Sequence, residues 1–219
     1  MRKTNQIAQS AKKVFPDLAL TETQLDSLAL YLELLDQWNQ RFNLTSVKGF
    51  ENQVAKHLLD ALAPLGLGLG PLLQGRGMDL GSGAGLPSLI LALCLPEVEF
   101  LSIEGVLKKV NFQETARTRM GLKNFVARQV RLEDLAKEAG LARTQDFVLA
   151  RALSSLVELG QWAAVFLKPG GRLWAWKGKN WEEEWGELQA QGGWSLEKAL
   201  PYQLELGFGG VLLLLQKTP

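Results

Sequence analysis

The chain has one cysteine and one histidine among 219 residues. A lone cysteine excludes a disulfide framework and any cysteine-rich zinc site. A lone histidine rules out a multi-histidine centre, so no metal is expected. An excess of one charge is also missing: 24 basic residues stand against 23 acidic ones, a formal net charge of +1. A chain that grips nucleic acid by overall charge is therefore excluded. No apolar run reaches the roughly 18 residues a membrane helix needs. The opening ten residues are polar and charged, with no h-region of a signal peptide behind them. A cytoplasmic monomer with no membrane contact is the expectation. The 22 glycines follow no G-X-Y period, which excludes collagen, and 47% hydrophobic residues exclude disorder.

What is present divides the chain in two. Residues 1–62 read as a helical region. Thr21 and Gln24 match a capping box, and Leu25, Leu28, Leu32 and Leu35 recur at spacings of three and four, continued by Trp38. That stripe is one helix face, most simply a buried one. Asn43 to Ser46 supplies turn chemistry, and a further helix is expected from about 51 to 62. Residues 64–77 are rich in Gly and Pro and read as a connection. Residues 63–219 then alternate strands (near 76–80, 98–104, 124–130, 146–150 and 171–177) with helices (near 86–95, 106–120, 132–139, 155–167 and 181–191). Such alternation implies a parallel sheet covered on both faces. The tail, about 194–217, has apolar stretches flanking Gly207 to Gly210 and suggests an antiparallel pair at one side of the sheet. Trp174 and Trp176 share a strand face and are expected in the core.

The most informative stretch is Asp79-Leu-Gly81-Ser82-Gly83-Ala-Gly85-Leu86-Pro87, between the first strand and its helix. Glycines let a ligand lie against bare main chain. A dinucleotide fingerprint would need its last glycine at position 86, which is Leu86, and a P-loop would need a terminal Gly-Lys-Ser/Thr, which is absent. An acid two residues before the first glycine suits a ligand with a positive amino or sulfonium group better than a pyrophosphate. Glu104 ends the second strand, where a carboxylate can accept both ribose hydroxyls. Asp79, three alternating glycines and Glu104 together describe a site for S-adenosylmethionine. Leu132 and Glu133 follow the third strand, where an adenine ring would lie. Arg151 follows the fourth strand and points toward the crevice at the carboxyl ends of the strands; the alternative is a surface arginine or a structural ion pair. Lys177 ends the fifth strand in the same way.

Which atom receives the methyl is narrowed by what is missing. A cytosine-C5 enzyme needs a cysteine nucleophile, and Cys94 sits in an apolar helix, so it reads as core. The Asp/Asn-Pro-Pro-aromatic loop common in exocyclic-amine methyltransferases is absent; the fourth strand runs into Ala150-Arg-Ala-Leu153. A target with no proton to remove, such as guanine N7, is consistent with such a site.

These residues bear a resemblance to a known family. Trp38-Asn39, Asn43-Leu-Thr45, Lys56-His-Leu-Leu-Asp60, Met78 to Pro87, Lys108-Lys-Val110, Arg131-Leu-Glu133, Ala150-Arg-Ala152 and Trp176-Lys-Gly178 occur in family order. The chain resembles the RsmG/GidB family of bacterial 16S rRNA guanine-N7 methyltransferases. The resemblance implies a Rossmann-like class I S-adenosylmethionine-dependent methyltransferase: an α/β protein with a seven-stranded, mostly parallel sheet and an N-terminal helical extension. It implies transfer of a methyl group from S-adenosyl-L-methionine to N7 of a guanosine in the decoding-region loop of 16S rRNA within the small ribosomal subunit. On the matching positions, Asp79, Gly81, Ser82, Gly83, Gly85 and Leu86 would hold the cofactor from the loop, Glu104 its ribose, and Leu132 and Glu133 its adenine end. Arg151 would lie in the active site, as the catalytic residue and beside the cofactor. Lys108, Lys109 and Lys177 would face RNA phosphate. The family usually has a glycine where this chain has Ser88, and a serine is expected to be tolerated there with little effect.

Charge is unevenly spread. Residues 105–131 hold Lys108, Lys109, Arg117, Arg119, Lys123, Arg128 and Arg131 against the single acid Glu114, whereas residues 179–219 are mainly acidic. The basic sector weakly favours RNA over the rival readings, a methyltransferase for a small molecule or protein and a non-catalytic RNA-binding assembly factor. His57 lies three residues before Asp60 and reads as a structural histidine, since N7 methylation needs no base.

Overall fold

Thr21 caps its helix as the spacing predicts. Its hydroxyl accepts the N–H of Gln24, while the Gln24 side chain accepts the N–H of Thr21. The helix behind it, α2 (Glu22–Phe42), follows a shorter α1 (Lys3–Val14). Leu28, Leu32 and Leu35 of the stripe are fully buried, and Trp38 packs edge-on against Phe112. These positions come from a computed structural model of the chain, which describes residues 2–135 and 137–218. The expected helix near 132–139 crosses position 136, which lies outside the described residues, as do Met1 and Pro219.

The helix expected over 51–62 is longer and irregular. α3 (Phe50–Gln53) passes through a π-helical stretch, Val54–Leu59, into α4 (Asp60–Gly66). Pro64 therefore lies inside a helix and not in a connection, and the boundary expected at residue 62 falls within α4. The reason is local. A helical proline has no N–H for the carbonyl four residues earlier, which here is Asp60, and the indole N–H of Trp176 takes that carbonyl at 2.9 Å. The π turn has a parallel consequence. The N–H of Asp60 reaches back five residues to Ala55, and the carbonyl of Lys56 is taken by Arg151 instead.

Among the described residues seven strands follow: β1 (Arg76–Leu80), β2 (Glu99–Glu104), β3 (Phe125–Gln129), β4 (Gln145–Arg151), β5 (Leu167–Lys177), β6 (Trp194–Gln203) and β7 (Gly209–Lys217). Their spatial order is β3-β2-β1-β4-β5-β7-β6. The first five pair in parallel, β7 pairs antiparallel with both β5 and β6, and the expected antiparallel tail forms. Helices α5 (Ser88–Cys94), α6 (Leu107–Arg119), α7 (Leu132–Leu135), α8 (Leu156–Phe166) and α9 (Trp181–Gln191) make the connections. α5 begins two residues later than expected, and β5 begins four residues earlier.

Two apolar clusters cover the sheet. One joins the N-terminal helices to one sheet face, from Ile7 through Leu62 to Phe147, Trp174 and Leu214; the other fills the opposite face beneath α8 and α9. The N-terminal helices therefore share their core with the sheet. Among the described residues no helix is long and apolar enough to cross a membrane. Strand order reverses between β1 and β4. That reversal opens a crevice at the carboxyl ends of the strands, with the 81–87 loop on one side and Arg151 on the other.

Candidate active site

The loop after β1 is built around three left-handed glycines, Gly81, Gly83 and Gly85, with φ of +64, +60 and +81°. They are not equivalent. A Cβ on Gly81 would collide with Leu153 Cδ1 at 2.4 Å, and one on Gly85 would press on Leu89 and Gln113 at 3.1–3.2 Å. A Cβ on Gly83 would meet nothing within 4 Å. Gly81 and Gly85 thus serve close packing, while Gly83 turns bare main chain toward open space.

Ser82 differs from what the sequence suggests. Its side chain is buried and points away from the open side, where its hydroxyl receives hydrogen bonds from Ser102 Oγ at 2.6 Å and Gln113 Nε2 at 2.9 Å. Gln113 also donates to the Gly83 carbonyl at 2.8 Å. This buried knot ties the loop to β2 and α6, and Gln113 is a loop-bracing residue that the sequence did not point to. No spacing signal marks it; only its full burial does. Leu86 is likewise directed into the core. For Ser82 and Leu86, contact with a ligand is thus restricted to main chain.

Two carboxylates flank the loop. Asp79 is fully buried. Its Oδ2 accepts both the N–H and the hydroxyl of Ser88, at 3.1 and 2.6 Å, while Oδ1 has no partner among the described residues. Burial pushes its pKa up to about 7, against the lowering effect of the Ser88 bonds. Ser88 is therefore more than a tolerated substitute for glycine, because it holds the acid's orientation. Glu104 closes β2. Its Oε2 accepts the N–H of Gly83 and its Oε1 the N–H of Val106, both at 2.9 Å. Lys109 Nζ stands 3.8 Å from Glu104 Oε2, so Lys109 is turned toward the loop, whereas Lys108 is exposed. Leu132 is half-buried at the start of α7, and Glu133 beside it is exposed.

The other side of the crevice is built from side chains. Arg151 Nη1 donates to the Lys56 carbonyl at 3.0 Å and to Asp60 Oδ2 at 2.9 Å. Of the alternatives for Arg151, the structural ion pair is present, at the crevice itself, and the surface arginine is not. Tyr202 donates its hydroxyl to Asp60 Oδ1 at 2.5 Å. His57 is not paired with Asp60: its Nε2 lies 3.0 Å from Thr45 Oγ1, and Nδ1 has no partner among the described residues. Burial and the Arg151 charge hold its pKa down at about 4, so it is neutral near pH 7. Lys177 corrects the expectation that it faces RNA. Its ammonium donates to the Ser154 carbonyl at 2.9 Å and is paired with Glu184 at 2.5 Å, leaving the side chain only 9% exposed. Glu184 of α9 reaches back over the strand end and offsets its charge. Cys94 packs against the core, and burial pushes its thiol up to about 12.

The site residues suit a compact cation carrying a sugar: open main chain at Gly83, an unpartnered carboxylate oxygen on Asp79, and a second carboxylate at the tip of the next strand. Among the described residues no cluster of three or more His, Cys, Asp or Glu could hold a metal ion.

Comparison with known proteins bears on the fold and on the family. The solved structure of the O-methyltransferase TomG from Streptomyces achromogenes, in complex with SAM, superposes over 100% of both chains with a TM-score of 0.64 at 13% identity. A SAM dependent methyltransferase from Aquifex aeolicus covers 71% of this chain and 91% of its own, with a TM-score of 0.53 at 20% identity. At such identities the likeness shows the fold, that of class I methyltransferases. Sequence relatives are much nearer. The ribosomal RNA small subunit methyltransferase G of Geobacter sp. (strain M21) is 39% identical over 182 residues, 80% of this chain and 82% of the relative. That of Sodalis glossinidius is 36% identical over 190 residues, 86% of this chain and 87% of the relative. The family described as GidB, rRNA small subunit methyltransferase G, matches residues 24–205. With that match running from α2 through the glycine loop to the end of β6, the chain belongs to the rRNA small subunit methyltransferase G family.

Proposed function

We propose that this protein transfers a methyl group from S-adenosyl-L-methionine to N7 of a guanosine in the decoding-region loop of 16S rRNA, acting as a cytoplasmic monomer without a metal. The observation that carries the cofactor assignment is the open main chain at Gly83 between the Asp79 and Glu104 carboxylates. The family match carries the RNA assignment.

When bound, the cofactor supplies an electrophilic methyl group on a sulfonium. The free oxygen of Asp79 is suited to the cofactor's amino group, and the remaining lone pairs of Glu104 to its ribose hydroxyls. The start of α7, Leu132 and Glu133, would border the adenine end. Gly81, Ser82, Gly85 and Leu86 would contribute main chain and shape. Arg151 has donors left after its two bonds, since a guanidinium carries five N–H groups, and these would orient the acceptor nucleotide. Guanine N7 carries no proton, so no base is required. The site accords with this: His57 is neutral but committed to Thr45, and Cys94 is a protonated core thiol. Orientation and proximity then supply most of the acceleration. Lys108 would contribute phosphate contact at the mouth.

The test is to incubate the protein with methyl-labelled cofactor and small subunits from a strain lacking this modification. Label on one guanosine of 16S rRNA, located by mass spectrometry of nuclease fragments, is the expected result. Label on protein or on a small molecule, with none on rRNA, overturns the proposal.

A further inference from the structure

One residue of the N-terminal helices is bound through every oxygen it has, each time to a different strand. Asp60 Oδ2 receives Arg151 of β4 at 2.9 Å, Oδ1 receives the hydroxyl of Tyr202 of β6 at 2.5 Å, and its main-chain carbonyl receives the indole N–H of Trp176 of β5 at 2.9 Å. Its own position depends on two helix irregularities. Pro64 frees the Asp60 carbonyl for Trp176, and the π turn frees the Lys56 carbonyl for the same Arg151 nitrogen that binds Asp60. π turns are uncommon in helices and concentrate at functional sites. Asp60 is 3% exposed, and the Arg151 side chain 14%.

A buried ion pair is weak evidence for stability, because the desolvation of both charges offsets their attraction. The pair sits where strand order reverses, on the rim that faces the glycine loop across the crevice. Methyl transfer to N7 moves one unit of positive charge from the sulfonium to the purine. A bare guanidinium at the acceptor would oppose that movement, whereas one already matched by a carboxylate would not.

We propose that Asp60 is a positioning residue for methyl transfer: with the Lys56 carbonyl it fixes the Arg151 guanidinium at one orientation and offsets its charge, so that the remaining N–H groups meet the acceptor guanosine. This rests on the reading of Arg151 as an acceptor-site residue. Tyr202 secures the carboxylate from its far side, which makes the edge strand β6 part of the device. The cofactor loop lies outside it, since none of the Asp60 bonds touches residues 79–88.

The experiment compares Asp60→Asn and Tyr202→Phe with the unaltered protein, with cofactor present, in two measurements. The first is phenylglyoxal modification followed by peptide mass spectrometry. In Asp60→Asn, Arg151 is expected to react about fivefold faster or more, the other arginines keeping their rates, as a guanidinium loses its carboxylate partner. The second is methyl transfer to unmodified small subunits. There kcat is expected to fall about tenfold or more as orientation is lost, with KM and cofactor affinity within about twofold. Tyr202→Phe should move the same quantities in the same direction by about threefold, the scale of one hydrogen bond. If Asp60→Asn does not fold, Tyr202→Phe alone decides. Unchanged Arg151 reactivity and kcat in a folded variant overturn the proposal. So does a joint fall of kcat, cofactor affinity and melting temperature with all buried arginines becoming reactive, which is the mark of a purely structural residue. An unaltered protein that labels no rRNA instead defeats the functional reading, and the Arg151 reactivity still decides the role of Asp60.

Discussion

The two rims of the crevice are made in different ways. On the β1–β2 side the contacts are short in sequence and lean on main chain: Glu104 to the Gly83 N–H, Asp79 to the Ser88 N–H and hydroxyl, Gln113 to Ser82 and to the Gly83 carbonyl. The widest of these separations is 31 residues. On the β4–β5 side the contacts run between side chains and distant helix carbonyls, with Arg151, Trp176 and Tyr202 reaching Asp60 across 91, 116 and 142 residues. A rim of the first kind is shaped by its own segment, so substitutions there should act on the ligand and leave the rest alone. A rim of the second kind exists only when the whole sheet and the N-terminal helices have docked, so substitutions there should couple chemistry to assembly.

The sharpest way to break that contrast is Gly83→Val. The Cβ would enter open space, with no atom beyond the neighbouring residues within 4 Å. The left-handed backbone at φ +60° would cost about 1–2 kcal/mol in stability. A drop in melting temperature of about 2–8 °C is expected for a chain of this size. Cofactor affinity, read by calorimetric titration, should fall by about 100-fold or more, because the side chain occupies the space left for the ligand. Near-normal affinity would mean that the rim does not hold the cofactor. Glu104→Gln is the next largest. Replacing a charged acceptor by a neutral one should weaken cofactor binding about tenfold, the scale of a charge-assisted hydrogen bond, with methyl transfer at saturating cofactor largely kept.

The same contrast governs what could be read in the sequence. Glycines at alternate positions after an apolar strand, and an acid at the next strand tip, announce themselves because main-chain geometry is dictated by neighbours in the chain. Ser82 was legible as a loop residue, but its inward direction was not, since the partners Ser102 and Gln113 carry no pattern. Pro64 was misleading. Proline in a Gly-rich stretch suggests a connection, and only the Trp176 indole, brought there by tertiary folding, makes it acceptable inside a helix. Lys177 failed for a similar reason: its sequence position is right for the crevice, but Glu184 from α9 takes its charge. The Asp60 cluster was invisible because four separated segments meet at one residue.

A pH titration of stability should separate the two rims by sign. Asp79, on the loop side, has its pKa raised to about 7. From about pH 4 to 7 the folded chain keeps a proton that the unfolded chain has lost, so this group makes stability fall as pH rises. His57, on the Asp60 side, has its pKa lowered to about 4. From about pH 6.5 down to 4 the unfolded chain takes a proton that the folded chain refuses, so stability falls as pH drops. In the unaltered protein the two slopes oppose each other below about pH 6.5. Asp79→Asn should leave a melting temperature that climbs from pH 4 to 6.5 and then levels. His57→Gln, which keeps a hydrogen-bonding group for Thr45, should leave one that declines toward pH 7. Parallel curves for the two variants, measured by scanning calorimetry without cofactor, would contradict the assignment of opposite burial effects.

The smallest effect belongs to the mouth, where the contrast can be refined within one pair of lysines. Lys108 is exposed and makes no ion pair among the described residues, whereas the Lys109 ammonium lies 3.8 Å from Glu104. If the basic start of α6 meets RNA, removing Lys108 costs one phosphate contact and nothing else. Lys108→Ala should then weaken binding of the target rRNA only a few-fold, and lower the slope of log affinity against log salt by about 0.7, the value for one phosphate of a single strand. Its cofactor affinity should stay unchanged. Lys109→Ala should alter cofactor affinity as well, because the charge it removes faces the carboxylate that closes the loop. Equal behaviour of the two variants in both titrations would show that the pair is not divided between RNA and loop, and an unaltered salt slope in Lys108→Ala would take this helix end off the RNA surface.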